Sequence, residues 1–109
     1  MNNILIIAPH ADDEILGCGG MIEKFSNNGF KIFIAIMTNA NKGDPKRFGL
    51  KYIKNLREEA LKSHKFLKIK KTFFYDFPAP NLDQVPIAKI SDTIYDLLKI
   101  VKPSKTFIP

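Results

Sequence analysis

The sequence predicts an α/β fold, a Rossmann-like parallel sheet with helices on both faces. Four short apolar runs, rich in isoleucine or phenylalanine, recur along the chain and are typical of strands buried on both faces. Between them lie three segments with apolar residues at helical spacing. The resulting order β-α-β-α-β-α-β favours a parallel sheet built from crossover connections. A chain of 109 residues suits one domain.

The first half of the chain predicts two strands, one helix and a loop. Residues 3–8 form a continuous apolar run and are predicted as the first strand. A helix over residues 18–28 is expected to end at Asn27-Asn28-Gly29, because glycine is common just after helices. The second strand is predicted at residues 31–37. Residues 38–50 are polar and contain two glycines and a proline, which predicts a long loop.

The second half predicts two helices and two strands. A helix is expected over residues 51–67 and a third strand over residues 71–75. Phe77-Pro78-Ala79-Pro80 is predicted not to continue that strand, because proline cannot donate to the ladder. The next helix is expected over residues 85–101, and the fourth strand over residues 106–108. The chain ends at this strand, where a further helix and functional loop would be expected.

Composition narrows the function classes. The net charge of +6 raises the question of nucleic acid, but the lysines are spread along the whole chain, so we predict a solvated surface and no nucleic-acid partner. No apolar run approaches the ~18 residues of a membrane span, and the N-terminus lacks the pattern of a signal peptide. We therefore expect no membrane span and a cytoplasmic location. Cys18, the single cysteine, excludes a site of several thiolates and is predicted to be buried.

A crowded polar turn follows the first strand. His10 and Asp13 lie three residues apart where a strand should pass into a helix, so an imidazole and a carboxylate can face one point, as zinc ligands do. Asp12 lies between them and could take a proton from a metal-bound water. Glu14 is expected to begin the helix, where its charge meets the positive end of the helix dipole. Capping residues could produce the same pair by chance.

The turn lies within a longer motif. Pro9-His10-Ala11-Asp12-Asp13-Glu14-Ile15-Leu16-Gly17-Cys18-Gly19-Gly20 resembles the signature of the LmbE-like (PIG-L) N-deacetylases, zinc-dependent enzymes that remove acetyl groups from N-acetylglucosamine-type amino sugars. Further segments resemble the same family: Ile36-Met37-Thr38-Asn39, Arg57-Glu58-Glu59-Ala60 with Leu67, Asp76 to Asp83, Lys102-Pro103 and Phe107-Ile108-Pro109. The resemblance covers roughly the first half of a family member, and it implies that residues 1–109 are the N-terminal part of one domain, with the sheet truncated after its fourth strand.

The resemblance implies roles for five residues and a substrate class. His10 and Asp13 would be zinc ligands and Asp12 the general base, while Arg57 and Asp76 would lie near a small amino-sugar substrate. The family takes its third zinc ligand from a segment beyond the fourth strand, and this sequence does not contain that segment. We therefore expect the 109-residue chain alone to be inactive. The other histidine, at position 64, lies on an apolar helix face and is predicted to be packed rather than a substitute ligand.

The sequence departs from the family pattern at three positions. Ala11 replaces the usual proline, Ala40 stands where glycine is common, and Lys68 replaces the glycine that follows Leu67. None of these positions is a proposed ligand, so the departures are expected to be tolerated.

Two other functions stay open at this level. Asp12-Asp13 and Asp76, each after a predicted strand, also resemble the acidic Mg²⁺ pocket of phospho-receiver signalling domains. A non-catalytic truncated remnant is the third alternative. Its exposed sheet edge would favour homo-oligomers, because unpaired strand edges template association.

Overall fold

The computed structural model describes residues 2–10, 13–79 and 81–109. Their elements, in chain order, are β1 (Asn3–Ala8), α1 (Asp13–Asn27), β2 (Lys31–Asn39), α2 (Ala40–Gly43), α3 (Leu50–Phe66), β3 (Lys71–Pro78), a 3₁₀ turn (Leu82–Gln84), α4 (Ile87–Val101) and β4 (Lys105–Phe107). None of the helices in this part of the chain is both long and apolar enough to cross a bilayer.

The four strands form one parallel sheet in the order β3-β2-β1-β4. Alternate side chains of β1 enter two separate cores. Ile4 and Ile6 pack with α1, whereas Leu5 and Ile7 pack with Leu97 of α4 on the other face. The predicted parallel sheet with helices on both faces is therefore confirmed.

The strand order fixes where chemistry is expected. β1 pairs with β2 on one side and with β4 on the other, so the chain direction around the sheet reverses between β1 and β4. In open α/β sheets, ligands bind at such a switch point, outside the carboxyl ends of the strands. Phospho-receiver domains have the order 2-1-3-4-5, which places β3 beside β1. Here β2 separates them, so the topology does not fit that alternative.

The predicted end of the third strand is wrong. β3 continues through Phe77 to Pro78, which pair with Thr38 and Asn39 of β2. The pairing shifts between Ile36 and Thr38, which is a bulge. Because β3 is an edge strand of this sheet, a proline without an N–H group is tolerated there.

Two further boundaries differ from the sequence predictions. α1 begins at Asp13 rather than at residue 18, so the glycine-rich stretch is helical. At Gly17 the reason for a glycine is close packing. A Cβ there would lie 2.7 Å from the Cβ of Pro109, so only a residue without a side chain lets the two segments approach. The predicted loop over residues 38–50 is also shorter, since β2 extends to Asn39 and α2 follows directly.

Candidate active site

His10 and Asp13 are held side by side at the carboxyl end of β1. The Nδ1 atom of His10 lies 3.3 Å from Oδ2 of Asp13, and the backbone N–H of His10 donates to the same oxygen at 3.0 Å. Their side chains are 62% and 37% exposed, so a ligand can reach both. The structure therefore brings the two predicted zinc ligands together.

Hydrogen bonds from the end of β2 hold the residue that precedes His10. The backbone N–H of Thr38 and its hydroxyl both donate to the carbonyl of Pro9, at 3.1 and 2.7 Å. The N–H of Asp13 donates to the carbonyl of His10 at 3.3 Å, which closes the turn. Pro9 is thus tied to β2, and Asp13 is tied to His10, by hydrogen bonds to backbone carbonyls.

The donor atoms of this pair fit zinc. Zinc–nitrogen and zinc–oxygen bonds of about 2.0–2.2 Å at a tetrahedral angle place the two donor atoms about 3.4 Å apart. The observed 3.3 Å agrees with that separation. No group of three or more His, Cys, Asp or Glu side chains capable of holding a metal occurs within residues 2–10, 13–79 and 81–109. The described residues therefore bring two possible donors together, fewer than the three protein ligands usual at a catalytic zinc ion. Asp12, the predicted general base, lies outside the described residues.

Arg57, in the middle of α3, is joined to Asp76 near the carboxyl end of β3. The Nη2 group of Arg57 donates to Oδ1 of Asp76 at 2.8 Å and to the carbonyl of Tyr75 at 2.9 Å. The guanidinium also lies over the ring of Phe74, 5.0 Å from its centroid. These contacts hold one edge of the guanidinium, and its remaining N–H groups make no hydrogen bond to the described residues.

Asn39 completes this network, and the sequence reasoning gave it no role. It is buried, its amide donates to Oδ1 of Asp76 at 2.9 Å, and its own oxygen accepts from the N–H of Asn41 at the start of α2. The hydrogen bond from Asn39, followed by the hydrogen bond and charge of Arg57, lowers the pKa of Asp76 against the opposing effect of burial. Asp76 is therefore an ionised acceptor at neutral pH.

A small cavity connects the two groups. It has a volume of about 50 Å³, and His10, Asn39 and Arg57 are among the residues that line it. Asp76 is hydrogen-bonded to two of these lining residues, Asn39 and Arg57. Of the five predicted site residues, four are described, and they form two adjacent pairs at one end of the sheet.

The structure also contains a buried pair that the sequence reasoning missed. Glu14 is fully buried, and its Oε1 lies 2.7 Å from Nε2 of His64, which is 2% exposed. The helix begins one residue before Glu14, at Asp13, and the partner of Glu14 is His64 rather than solvent and the helix dipole alone. The helical spacing of His64 with Ile53 and Ala60 was the available signal for its burial, and the prediction of a packed histidine agrees with the structure.

The family follows from a comparison of the sequence with known families. A family profile described as GlcNAc-PI de-N-acetylase (PIG-L) matches residues 5–109. The chain belongs to the PIG-L family. No curated protein matches this chain in sequence.

Several solved structures share the fold of this PIG-L chain. The N,N'-diacetylchitobiose deacetylase of Pyrococcus horikoshii is 24% identical, with a TM-score of 0.85 over 99% of this chain and 40% of that protein. A conserved protein of Thermus thermophilus is 26% identical, with a TM-score of 0.76 over 100% and 46% of the two chains. The 4-carboxy-2-hydroxymuconate hydratase of Pseudomonas putida is 18% identical, with a TM-score of 0.80 over 97% and 46%. The chain thus spans less than half the length of these proteins.

Proposed function

We propose that this chain carries part of the active site of a zinc-dependent N-deacetylase that acts on an N-acetylglucosamine-type sugar or glycoconjugate. The observation that carries the proposal is the pairing of His10 Nδ1 and Asp13 Oδ2 at 3.3 Å, at the carboxyl end of β1. Membership in the PIG-L family and the similarity to a diacetylchitobiose deacetylase support the reaction class.

Each part of the site has a task in amide hydrolysis. His10 and Asp13 would hold the metal, which when bound polarises an amide carbonyl and acidifies a water. Asp12 would accept one proton of the attacking water and return it to the departing amine nitrogen, so that the amide C–N bond breaks and acetic acid and an amine form. The acid then gives up its proton, and acetate and an ammonium group leave. The proton balance closes on Asp12, which ends as it began.

Arg57 and Asp76 would bind and orient the sugar. Arg57 lines a cavity shared with His10, and its remaining N–H groups can donate to a carbonyl or hydroxyl oxygen of the substrate. Asp76 is 55% exposed on its side chain and held ionised, so it can accept hydrogen bonds from sugar hydroxyls. Correct orientation of the amide at the metal is worth a large part of a hydrolytic rate enhancement.

The reaction class needs a direct test, because one fold hosts several chemistries and a hydratase shares this one. The assay measures acetate released from N-acetylglucosamine and from N,N'-diacetylchitobiose, with zinc and after chelation. It is run on the 109-residue chain and on a version extended by the segment from which the family takes its third zinc ligand. We expect chelator-sensitive release from the extended version and none from the 109-residue chain.

Two variants make the assay specific. Asp12→Asn should lower the rate by about 10²–10⁴-fold, the usual contribution of a general base. Asp92→Asn, which changes an exposed acid on α4, is the matched control and should leave the rate unchanged. An unchanged rate in Asp12→Asn contradicts the mechanism, and the absence of acetate release from any N-acetylated sugar contradicts the reaction class.

A further inference from the structure

The Glu14–His64 pair joins the two helices that carry the candidate site. Glu14 is the second residue of α1 and directly follows Asp13. His64 lies near the end of α3, and its Nδ1 atom is 2.7 Å from the hydroxyl of Thr72 on β3. In the neutral imidazole, Nε2–H donates to Glu14 while Nδ1 accepts from Thr72. One buried chain of hydrogen bonds thus connects α1, α3 and the sheet.

A contribution to stability does not by itself explain this buried network of hydrogen bonds. A buried carboxyl group is costly unless all its hydrogen-bonding capacity is met, and apolar residues of similar volume are often as stable or more so. Oε2 of Glu14 is buried and makes no hydrogen bond within the described residues. The fold therefore retains an incompletely satisfied polar pair in a position where an apolar contact would serve packing.

The position of the pair indicates what it does. Arg57 and His64 lie two helical turns apart on one face of α3. Arg57 holds Asp76, and His64 holds the residue next to Asp13. A hydrogen bond fixes direction and distance, whereas apolar side chains can slide past one another. The same helix is thus tied to both halves of the candidate site.

We infer that Glu14 and His64 are positioning residues that set the His10–Asp13 turn relative to Arg57. The inference rests on the proposed function, since it concerns the metal ligands named there. Outer partners that orient metal ligands typically change metal affinity by 10–100-fold when they are mutated.

The test is a Zn²⁺ titration of the whole 109-residue chain, in which the NMR signals of the His10 imidazole report zinc binding. The chain has only two histidines, so His10 is the sole imidazole in any His64 variant. The double variant Glu14→Leu/His64→Leu replaces the pair with an apolar contact and should remain folded. Its zinc dissociation constant should rise by about 10-fold or more. His64→Gln retains a donor for Oε1 of Glu14 and should keep most of the affinity.

A control separates positioning from general stability. Leu97→Ala creates a cavity in the core on the opposite face of the sheet, so it lowers the unfolding midpoint without touching α1 or α3. We expect wild-type zinc affinity in that variant. If the double variant fails to fold, Thr72→Val carries the test, because it removes only the support of the imidazole and should weaken zinc binding several-fold.

The outcomes distinguish this inference from the proposed function. Equal zinc affinity in the wild type and the double variant overturns the positioning role alone, as does an equal loss in Leu97→Ala. If zinc at millimolar concentration leaves the His10 signals of the wild type unmoved, the two donors alone do not bind the metal and the inference fails, whereas the proposed function is decided separately by the acetate-release assay.

Discussion

The molecule contains two histidine–carboxylate pairs, whose carboxylates belong to consecutive residues of α1. One pair is open to solvent and the other is buried. His10 and Asp13 lie 3.3 Å apart, are three residues apart in sequence, and are exposed. His64 and Glu14 lie 2.7 Å apart, are 50 residues apart in sequence, and are buried. The first pair can separate at little cost, because water replaces the lost contact. The second cannot, because its members would be left without solvent or partner.

This difference separates a site from its support. A metal must displace the contact between its ligands, so a useful ligand pair is one that is held close but weakly bonded. A support must resist displacement, so it is best buried and joined across distant parts of the chain. Identical side-chain chemistry thus serves two purposes, and burial decides which.

The largest effect is expected from breaking the buried pair on one side. His64→Leu should destabilise the protein by about 3–5 kcal/mol, because Glu14 is left as an unpaired buried carboxyl group. Urea unfolding followed by circular dichroism measures the change, since the chain has no tryptophan. The double variant Glu14→Leu/His64→Leu is the control and should recover most of the loss. A single-variant loss below about 1 kcal/mol would contradict the assigned cost of burial.

An intermediate effect is expected at Asn39, because the Arg57–Asp76 pair that it supports is partly exposed. Asn39→Ala removes the hydrogen bond to Asp76 and the cap of α2, and should cost about 1–2 kcal/mol at pH 7. Unfolding experiments at several pH values measure the size of this loss of stability and show whether it depends on the ionisation of Asp76.

The sign of the pH dependence follows from the lowered pKa of Asp76. A carboxyl group whose pKa is lower in the folded state stabilises the fold above its unfolded pKa, and this contribution is lost as the pH falls through the folded value. The hydrogen bond from Asn39 is the largest cause of the lowering from 3.8. The difference between Asn39→Ala and wild type should therefore shrink below pH 3.8. In Asp76→Asn, the same substitution at position 39 should show no such pH dependence. If the loss of unfolding free energy caused by Asn39→Ala is independent of pH in both backgrounds, Asp76 is not the origin of the effect.

Periodicity predicted the sheet well but missed the limits of its elements. The apolar runs of β1 and β2 predicted buried strands, and the β-α-β order predicted that these strands lie in a parallel sheet. The end of β3 could not be predicted, because Pro78 is tolerated only at an edge, and edge position depends on the whole strand order. The start of α1 was also hidden, because the glycines in it have low helix propensity and the close approach of Gly17 to Pro109 becomes visible only in the fold.

The candidate site divides along a similar line. His10 and Asp13 could be paired from sequence because the turn between them is local. Arg57 and Asp76 were named only through the family resemblance, and nothing in the spacing indicates that they touch. Asn39 and the Glu14–His64 pair escaped notice because a polar residue on a buried face gives no sign of its distant partner.

A smaller effect, of opposite sign, is expected where α3 ends. Lys68 has φ of 60°, and the N–H groups of Lys68 and Ile69 donate to the carbonyls of Lys65 and His64, which is a Schellman motif. Glycine is favoured at this left-handed position, and the family resemblance places a glycine here. Lys68→Gly should therefore stabilise the protein by about 0.5–1 kcal/mol, measured by urea unfolding. Lys65→Gly, one turn earlier inside the helix, is the matched control and should destabilise it by about 1 kcal/mol.

The smallest effect on stability is expected from the exposed pair, and it decides the comparison. His10→Gln should change the free energy of unfolding by less than about 0.5 kcal/mol, because both side chains reach solvent and the contact is local. The same variant removes a proposed zinc ligand, so any stabilisation by zinc against thermal unfolding should be smaller in His10→Gln than in the wild type. If His10→Gln destabilises the metal-free protein as much as His64→Leu does, the two pairs are both structural. The distinction between site and support would then be lost.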